Sequence, residues 1–258
     1  MFNKRIIPVL NLNKEGHLIH RKNFSIESER YVGDPLNTIR VFNDYSVDEM
    51  VIVDVDATMF KRNLQFDLLK DLAAESFFPL AYGGGLNNLK DIEKILRMGF
   101  EKVIINNFIN NDYNFIKECA KKFGSQSIMV SLDFIRSNNS FFIYNYFEKK
   151  NVINKNIIEH ILKIQEFGAG EILLTDVMND GNMSGYNLDI LELLQFVKIP
   201  IIYKGGGSTY KDIKLLFSRL VSGLASSTIF IMKKINGGIV INYPSEQEKE
   251  NYNEFNKM

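Results

Sequence analysis

The chain has 258 residues, 45% apolar and 24% charged, enough for one large domain with a substantial core. Lys plus Arg and Asp plus Glu number 31 each, so no net positive field exists to hold a nucleic-acid backbone or an anionic membrane, and neither is expected as a partner. One cysteine, Cys119, excludes an internal disulfide, Met1 to Leu10 does not read as a signal peptide, and no apolar run approaches the roughly 18 residues of a membrane span, so the cytoplasm is the expected location.

Along the chain, short β-branched runs alternate with longer stretches in which apolar residues recur three and four apart. That alternation predicts successive βα units around a parallel sheet. Strands are predicted at Arg5 to Leu12, Glu49 to Val55, Phe78 to Tyr82, Lys102 to Asn106, Ser127 to Asp133, Glu171 to Asp176, Pro200 to Lys204 and Val221 to Ala225. Leu89 to Met98 and Asp212 to Arg219 carry the helical spacing of elements that cover a barrel. The expectation is a single α/β domain, a (β/α)8 TIM barrel over residues 1–242. Residues 243–258 are rich in Glu, Asn and Lys, and are expected to form a polar tail, frayed or held by a partner.

An internal repeat refines this picture. IIPVLNL at Ile6 to Leu12 resembles IMVSLDF at Ile128 to Phe134, and EMVIVD at Glu49 to Asp54 resembles EILLTD at Glu171 to Asp176, each 122 residues on. PLAYGGGLNNLKDI from Pro79 matches PIIYKGGGSTYKDI from Pro200 at a lag of 121 or 122. Three matches in order imply two half-barrels of four βα units each. A doubly wound open sheet, the alternative, does not predict such symmetry.

Glycine triplets at Gly83 to Gly85 and Gly205 to Gly207 each follow a predicted strand and precede a predicted helix, so their backbone N–H groups can converge on an anion. One such run more often marks a tight turn; its repetition at matching strand ends favours one phosphate in each half. Asn106 and Asn107 after the fourth strand, and Ser226 and Ser227 after the eighth, can add donors or cap the next helix. Asp133 ends the fifth strand, where a carboxylate faces a barrel mouth, and its repeat partner is Asn11. An amide cannot exchange a proton near neutral pH, so only one side of the mouth retains an acid. Asp54 and Asp176, also repeat partners, can bind hydroxyls or cap helices. His17, His20 and His160 are too scattered to predict a metal site, and Cys119 reads as packing.

RIIPVLNLNKEG, GDP at Gly33 to Pro35, YGGGL, KVIIN, GAGEILLT, NDGNMSGY and KGGGS resemble, in order from Arg5 to about Phe230, the HisF family, the cyclase subunit of imidazole glycerol phosphate synthase. The related isomerase HisA fits these stretches less well. The resemblance implies a cofactor-free lyase that takes ammonia from a HisH-like glutaminase subunit, passes it through the barrel and cyclises a phosphorylated small molecule. It also implies phosphate sites at Gly85 and Asn106, and at Asp180, Gly181, Gly206, Gly207, Ser226 and Ser227. An ammonia gate at the opposite face is implied for Arg5, Glu49, Lys102 and Glu171, where the alternative is plain structural pairing.

Two departures matter. The family's first-strand catalytic aspartate is Asn11 here, and the lysine of the following loop falls on His20, which leaves Asp133 alone. YVGDPLNTIRVFNDYSVDE and the late GGIVINYPS are similar to HisF paralogues of bacterial surface-polysaccharide clusters, which implies ammonia delivery to a sugar amidotransferase. The competing expectations are a true cyclase of histidine biosynthesis and a sugar-phosphate-binding enzyme unrelated to ammonia.

Overall fold

A computed structural model describes residues 4–106, 112–138, 140–146, 150–152, 156–232 and 238–253. Eight parallel strands close on themselves: β1 (Arg5–Leu12), β2 (Met50–Asp54), β3 (Leu80–Gly83), β4 (Lys102–Ile105), β5 (Ile128–Ser137), β6 (Glu171–Asp176), β7 (Ile201–Lys204) and β8 (Gly223–Ser226), with β8 pairing back onto β1. Each strand is followed by a helix: α1 (Pro35–Asn43), α2 (Phe66–Glu75), α3 (Leu89–Arg97), α4 (Asn114–Phe123), α5 (Ile157–Glu166), α6 (Asp189–Leu193), α7 (Tyr210–Phe217) and α8 (Glu246–Asn253). This is the (β/α)8 barrel that the alternating pattern predicts. Among the described residues no helix is long and apolar enough to cross a membrane.

Local chemistry starts the helices where the chain must turn. Asp34 caps α1 by accepting from the Asn37 N–H, with Pro35 at the first helical position, and Asn88 does the same for α3 through Asp91. Thr209 and Asp212 form a reciprocal capping box on α7. Strand alternation then splits the apolar residues into two shells. Ile7, Val9, Val51, Ala81, Ile104, Met129, Leu173, Ile202 and Ala225 fill the barrel's interior as one cluster, while the larger cluster lies between strands and helices.

Short antiparallel strands at Leu18–His20, Arg30–Gly33, Ser140–Asn145 and Lys150–Val152 extend the sheet beyond the carboxyl ends of β1 and β5. They went unpredicted because runs of three to six residues between polar loops carry no periodic signal of their own. Both follow equivalent strands of the two halves, so the duplication extends to these inserts.

The tail differs from expectation. Tyr243 is buried, and its hydroxyl donates to the Ile6 carbonyl (2.8 Å) while accepting from the Asp48 N–H (3.2 Å). Lys249 on α8 donates to the Ser46 carbonyl (2.6 Å) and to Asp48 Oδ1 (2.9 Å), and Asp48 Oδ2 accepts from the Ile6 N–H (2.8 Å). Residues 243–253 thus dock beside the first residues of β1 and β2. Their low apolar content is offset by directed bonds to backbone groups that the barrel leaves open at its amino-terminal end, a contribution that mean polarity does not register.

Tyr243→Phe should keep the ring packing and lose both hydroxyl bonds. We expect a loss of about 1 kcal/mol in urea unfolding, with the denaturant slope unchanged.

Candidate functional site

The interior of the barrel is layered. At the amino end, Arg5 from β1, Glu49 just before β2, Lys102 from β4 and Glu171 from β6 form a closed ring of alternating charge. Arg5 pairs with both Glu49 and Glu171, and Lys102 reaches Glu49 Oε2 at 2.8 Å and Glu171 Oε2 at 3.0 Å. Both carboxylates are buried. Burial pulls the Arg5 guanidinium down, but the charges of Glu171 and Glu49 outweigh it, and its pKa is raised overall. Each ion sits between two of opposite sign, the arrangement in which buried charge is tolerated. Above the ring lies the apolar interior cluster, which holds no charged side chain.

Around the ring, the segments leading into the strands expose large apolar side chains. Phe77 before β3 is 83% exposed, Phe196 before β7 75% and Leu220 before β8 68%. Apolar side chains so exposed, sharing one end of a barrel, are a feature of surfaces that meet another protein.

At the carboxyl end a cavity of about 810 Å3 opens over the apolar cluster, and Asn11, Gly85, Asn106, Asp133, Asp180 and Lys204 are among its lining. Strand register arranges its floor. In the first half Asn11 pairs with Val53 and Val53 with Gly83; in the second Asp133 pairs with Thr175 and Thr175 with Lys204. Equivalent positions are therefore amide, apolar and glycine on one side, and acid, hydroxyl and amine on the other. The reactive side chains are concentrated on β5, β6 and β7.

Asp133 is buried, accepts from Asn106 Nδ2 at 2.7 Å, and has Ser131 Oγ at 3.5 Å. Desolvation raises its pKa to about 6, against the smaller opposing effects of Asn106 and the Lys204 charge. A carboxyl poised there can give or take a proton near neutrality. His20 is buried beside Gly181, lies outside the cavity lining, and is held below its ordinary pKa by desolvation, so it supplies no cation to the mouth.

The glycine triplets match one residue differently from their spelling. Gly84 and Gly205 both have positive φ, and a Cβ on either would strike the carbonyl oxygen of Asp54 or of Asp176, residues that are themselves repeat partners. Gly84 is thus the counterpart of Gly205, and Lys204, not a glycine, stands opposite Gly83. Gly85 lines the cavity and its N–H donates to Thr58 Oγ1 at 3.1 Å. Gly181, Gly206, Gly207, Ser226 and Ser227 lie outside the cavity lining. The Gly185 N–H donates to the Gly206 carbonyl at 2.8 Å, and the Ser226 hydroxyl accepts from the Thr228 and Ile229 N–H groups, a capping role. Asn107 falls outside the described residues.

Asp54 accepts from the Ala57 N–H and pairs with Arg62, while Asp176 accepts from Asn179 and Asn187. Both organise the loops after their strands. Cys119 is buried on α4, its thiol pushed up to about 12 by desolvation, which fits packing.

The Asp133 carboxyl binds its proton more tightly folded than unfolded. Its contribution to stability is therefore full below about pH 3.8 and falls as pH rises through about 6. Asp133→Asn should match wild type in urea unfolding at pH 4 and exceed it at pH 8, on the order of 2 kcal/mol. Equal pH dependence in the two proteins would contradict the buried, proton-binding carboxyl.

A model of the histidine biosynthesis protein family matches residues 5–236. A Leptospira interrogans protein provisionally named imidazole glycerol phosphate synthase subunit HisF is 35% identical over 256 residues, covering 97% of this chain and 98% of its own. Campylobacter jejuni subunit hisF2, also a provisional name, is 37% identical over 235 residues (91% and 92%), and the Exiguobacterium HisF subunit is 33% identical over 230 residues (89% of each). With the closed barrel and coverage this complete, the chain belongs to the HisF family.

Proposed function

We propose that this barrel receives ammonia from a HisH-like glutaminase at its amino-terminal face and passes it to the mouth, for amidation of a sugar in surface-polysaccharide synthesis. The observation that carries the reading is the contrast between the two ends. The paired ring of Arg5, Glu49, Lys102 and Glu171 is complete, whereas the mouth has Asn11 where a cyclase has its first-strand acid. An interior lined by Ile, Val, Leu, Met and Ala side chains admits a neutral ammonia molecule far more readily than an ammonium ion, which would lose its hydration there. Phe77, Phe196 and Leu220 offer the apolar surface a docking glutaminase would cover. The relatives are named as subunits, which fits a barrel that works with a partner chain.

In this reading the mouth accepts a phosphorylated small molecule. Gly85 and Asn106 form one anion subsite, and Gly181, Gly206, Gly207, Ser226 and Ser227 a second, with the Asp180 carboxylate held by Lys204 rather than by the anion. The sugar amidotransferase takes the ammonia beyond the mouth.

The competing reading, a cyclase of histidine biosynthesis, makes a separate prediction. With ammonia supplied directly, turnover of the family's cyclase substrate should fall about 100-fold or more below that of a true cyclase, because Asn11 cannot relay a proton. Steady-state assay of the isolated chain decides this, and turnover comparable to a true cyclase would favour histidine biosynthesis.

The channel itself is tested at the ring. Lys102→Ala leaves two carboxylates facing one guanidinium, which should draw water into the ring and let ammonia escape. In the reconstituted complex with the glutaminase, the ratio of ammonia released to amidated product should rise. An unchanged ratio, with the complex intact and the melting temperature normal, would leave the ring as structural pairing.

A further inference from the structure

Lys204 is the one position of the inner row where the second half adds a positive charge, lysine standing where the first half has a glycine. It is 5% exposed, yet it lines the mouth cavity. Its ammonium donates to Asp180 Oδ2 at 2.6 Å and lies 5.4 Å from the centre of the Phe24 ring. An ammonium carries three N–H groups, so two stay without a protein acceptor among the described residues.

The other cations of the cavity lining are placed differently, although the Arg62 Nε–H is also buried without an acceptor. Arg21 is bound by both Glu29 and Asp56, Arg62 is held by Asp54, and Lys61 is exposed at the rim. A buried Lys–Asp pair contributes little to stability compared with apolar residues of the same volume, so stability alone does not account for Lys204.

We propose that Lys204 is the ligand-binding cation of the mouth, and that its ligand carries an anionic group, a phosphate or a carboxylate, whose oxygens fill the two open N–H positions. Asp180 is the internal counterion that holds the ammonium in place until the ligand arrives and competes with it for the same charge. With His20 buried and supplying no cation, the positive charge on the inner row of the mouth is that of Lys204 on β7, paired in register with Thr175. The inference rests on the reading that the mouth accepts an anionic small molecule, and it adds the residue and charge that select it.

The test is calorimetric titration of the full chain, without glutaminase, with inorganic phosphate and separately with acetate at constant ionic strength. Asp180→Asn removes the competitor and should tighten binding several-fold. Lys204→Met combined with Asp180→Asn leaves no unpaired charge to disturb folding, and should weaken binding roughly 10-fold or more relative to Asp180→Asn alone. Lys204→Arg should stay within about threefold of wild type. Tighter binding of phosphate names a phosphorylated ligand, and tighter binding of acetate a carboxylate. Absence of binding by either ion, or affinities that do not respond to Asp180→Asn and the double variant, would overturn the proposal. Because no glutaminase is present, such a failure leaves the ammonia reading standing, and a failed leakage experiment leaves this one standing.

Discussion

Closing eight strands into a barrel withdraws the inward side chains at its foot from water, and four of those are charged. Glu49 and Glu171 can be buried there only because each is met by both Arg5 and Lys102, which stay partly open to solvent. The strands that carry them are fixed in angle and height by the same register that sets the mouth, so the ring, the apolar interior and the cavity are three levels of one construction. The docked C-terminal segment bears on it too. Tyr243 bonds to the backbone of Ile6, and Lys249 to the side chain of Asp48, the neighbours of Arg5 and Glu49. The foot is therefore braced from outside as well as paired within.

Duplication of a four-unit half explains the framework, and its breakdown explains the chemistry. The scaffold halves agree in strand order, in the inserts after β1 and β5, and in the glycines that fold beneath Asp54 and Asp176. They disagree in the inner row of the mouth. Asn11, Val53 and Gly83 cannot exchange a proton or carry a charge, whereas Asp133 and Lys204 can do both and Thr175 adds a hydroxyl. A mouth with its acid and its amine on the same side, on the two strands that flank β6, suits a ligand approached from one side, unlike a cyclase mouth with an acid on each side.

Much of this was legible in the amino-acid order. All eight barrel strands were found, because β-branched runs between helical spacings are long enough to carry a period, and the recurrence of IIPVLNL and EMVIVD located the two halves. What escaped was set by contacts rather than by periodicity. The glycine triplets read as equivalents, yet Gly84 matches Gly205, because the position is decided by how close the chain passes to a carbonyl; only the lag of 121 against 122 hinted that Lys204 occupies a glycine's place. The Ser226 hydroxyl accepts two N–H groups of its own turn, a pattern that spacing alone does not reveal and that is compatible with ligand binding. Mean polarity gives no sign that residues 243–253 dock, since a single buried tyrosine and one lysine outweigh many polar neighbours when they meet open backbone groups.

The central claim is that ammonia reaches its acceptor through the barrel and not through solvent. It is tested most directly by supplying amide-15N glutamine to the assembled barrel, glutaminase and amidotransferase in the presence of excess unlabelled ammonium, and reading the isotope in the amidated sugar by mass spectrometry. Product that keeps the 15N label despite the unlabelled pool is the predicted result. Product whose label is diluted to the composition of the solvent pool would contradict the account.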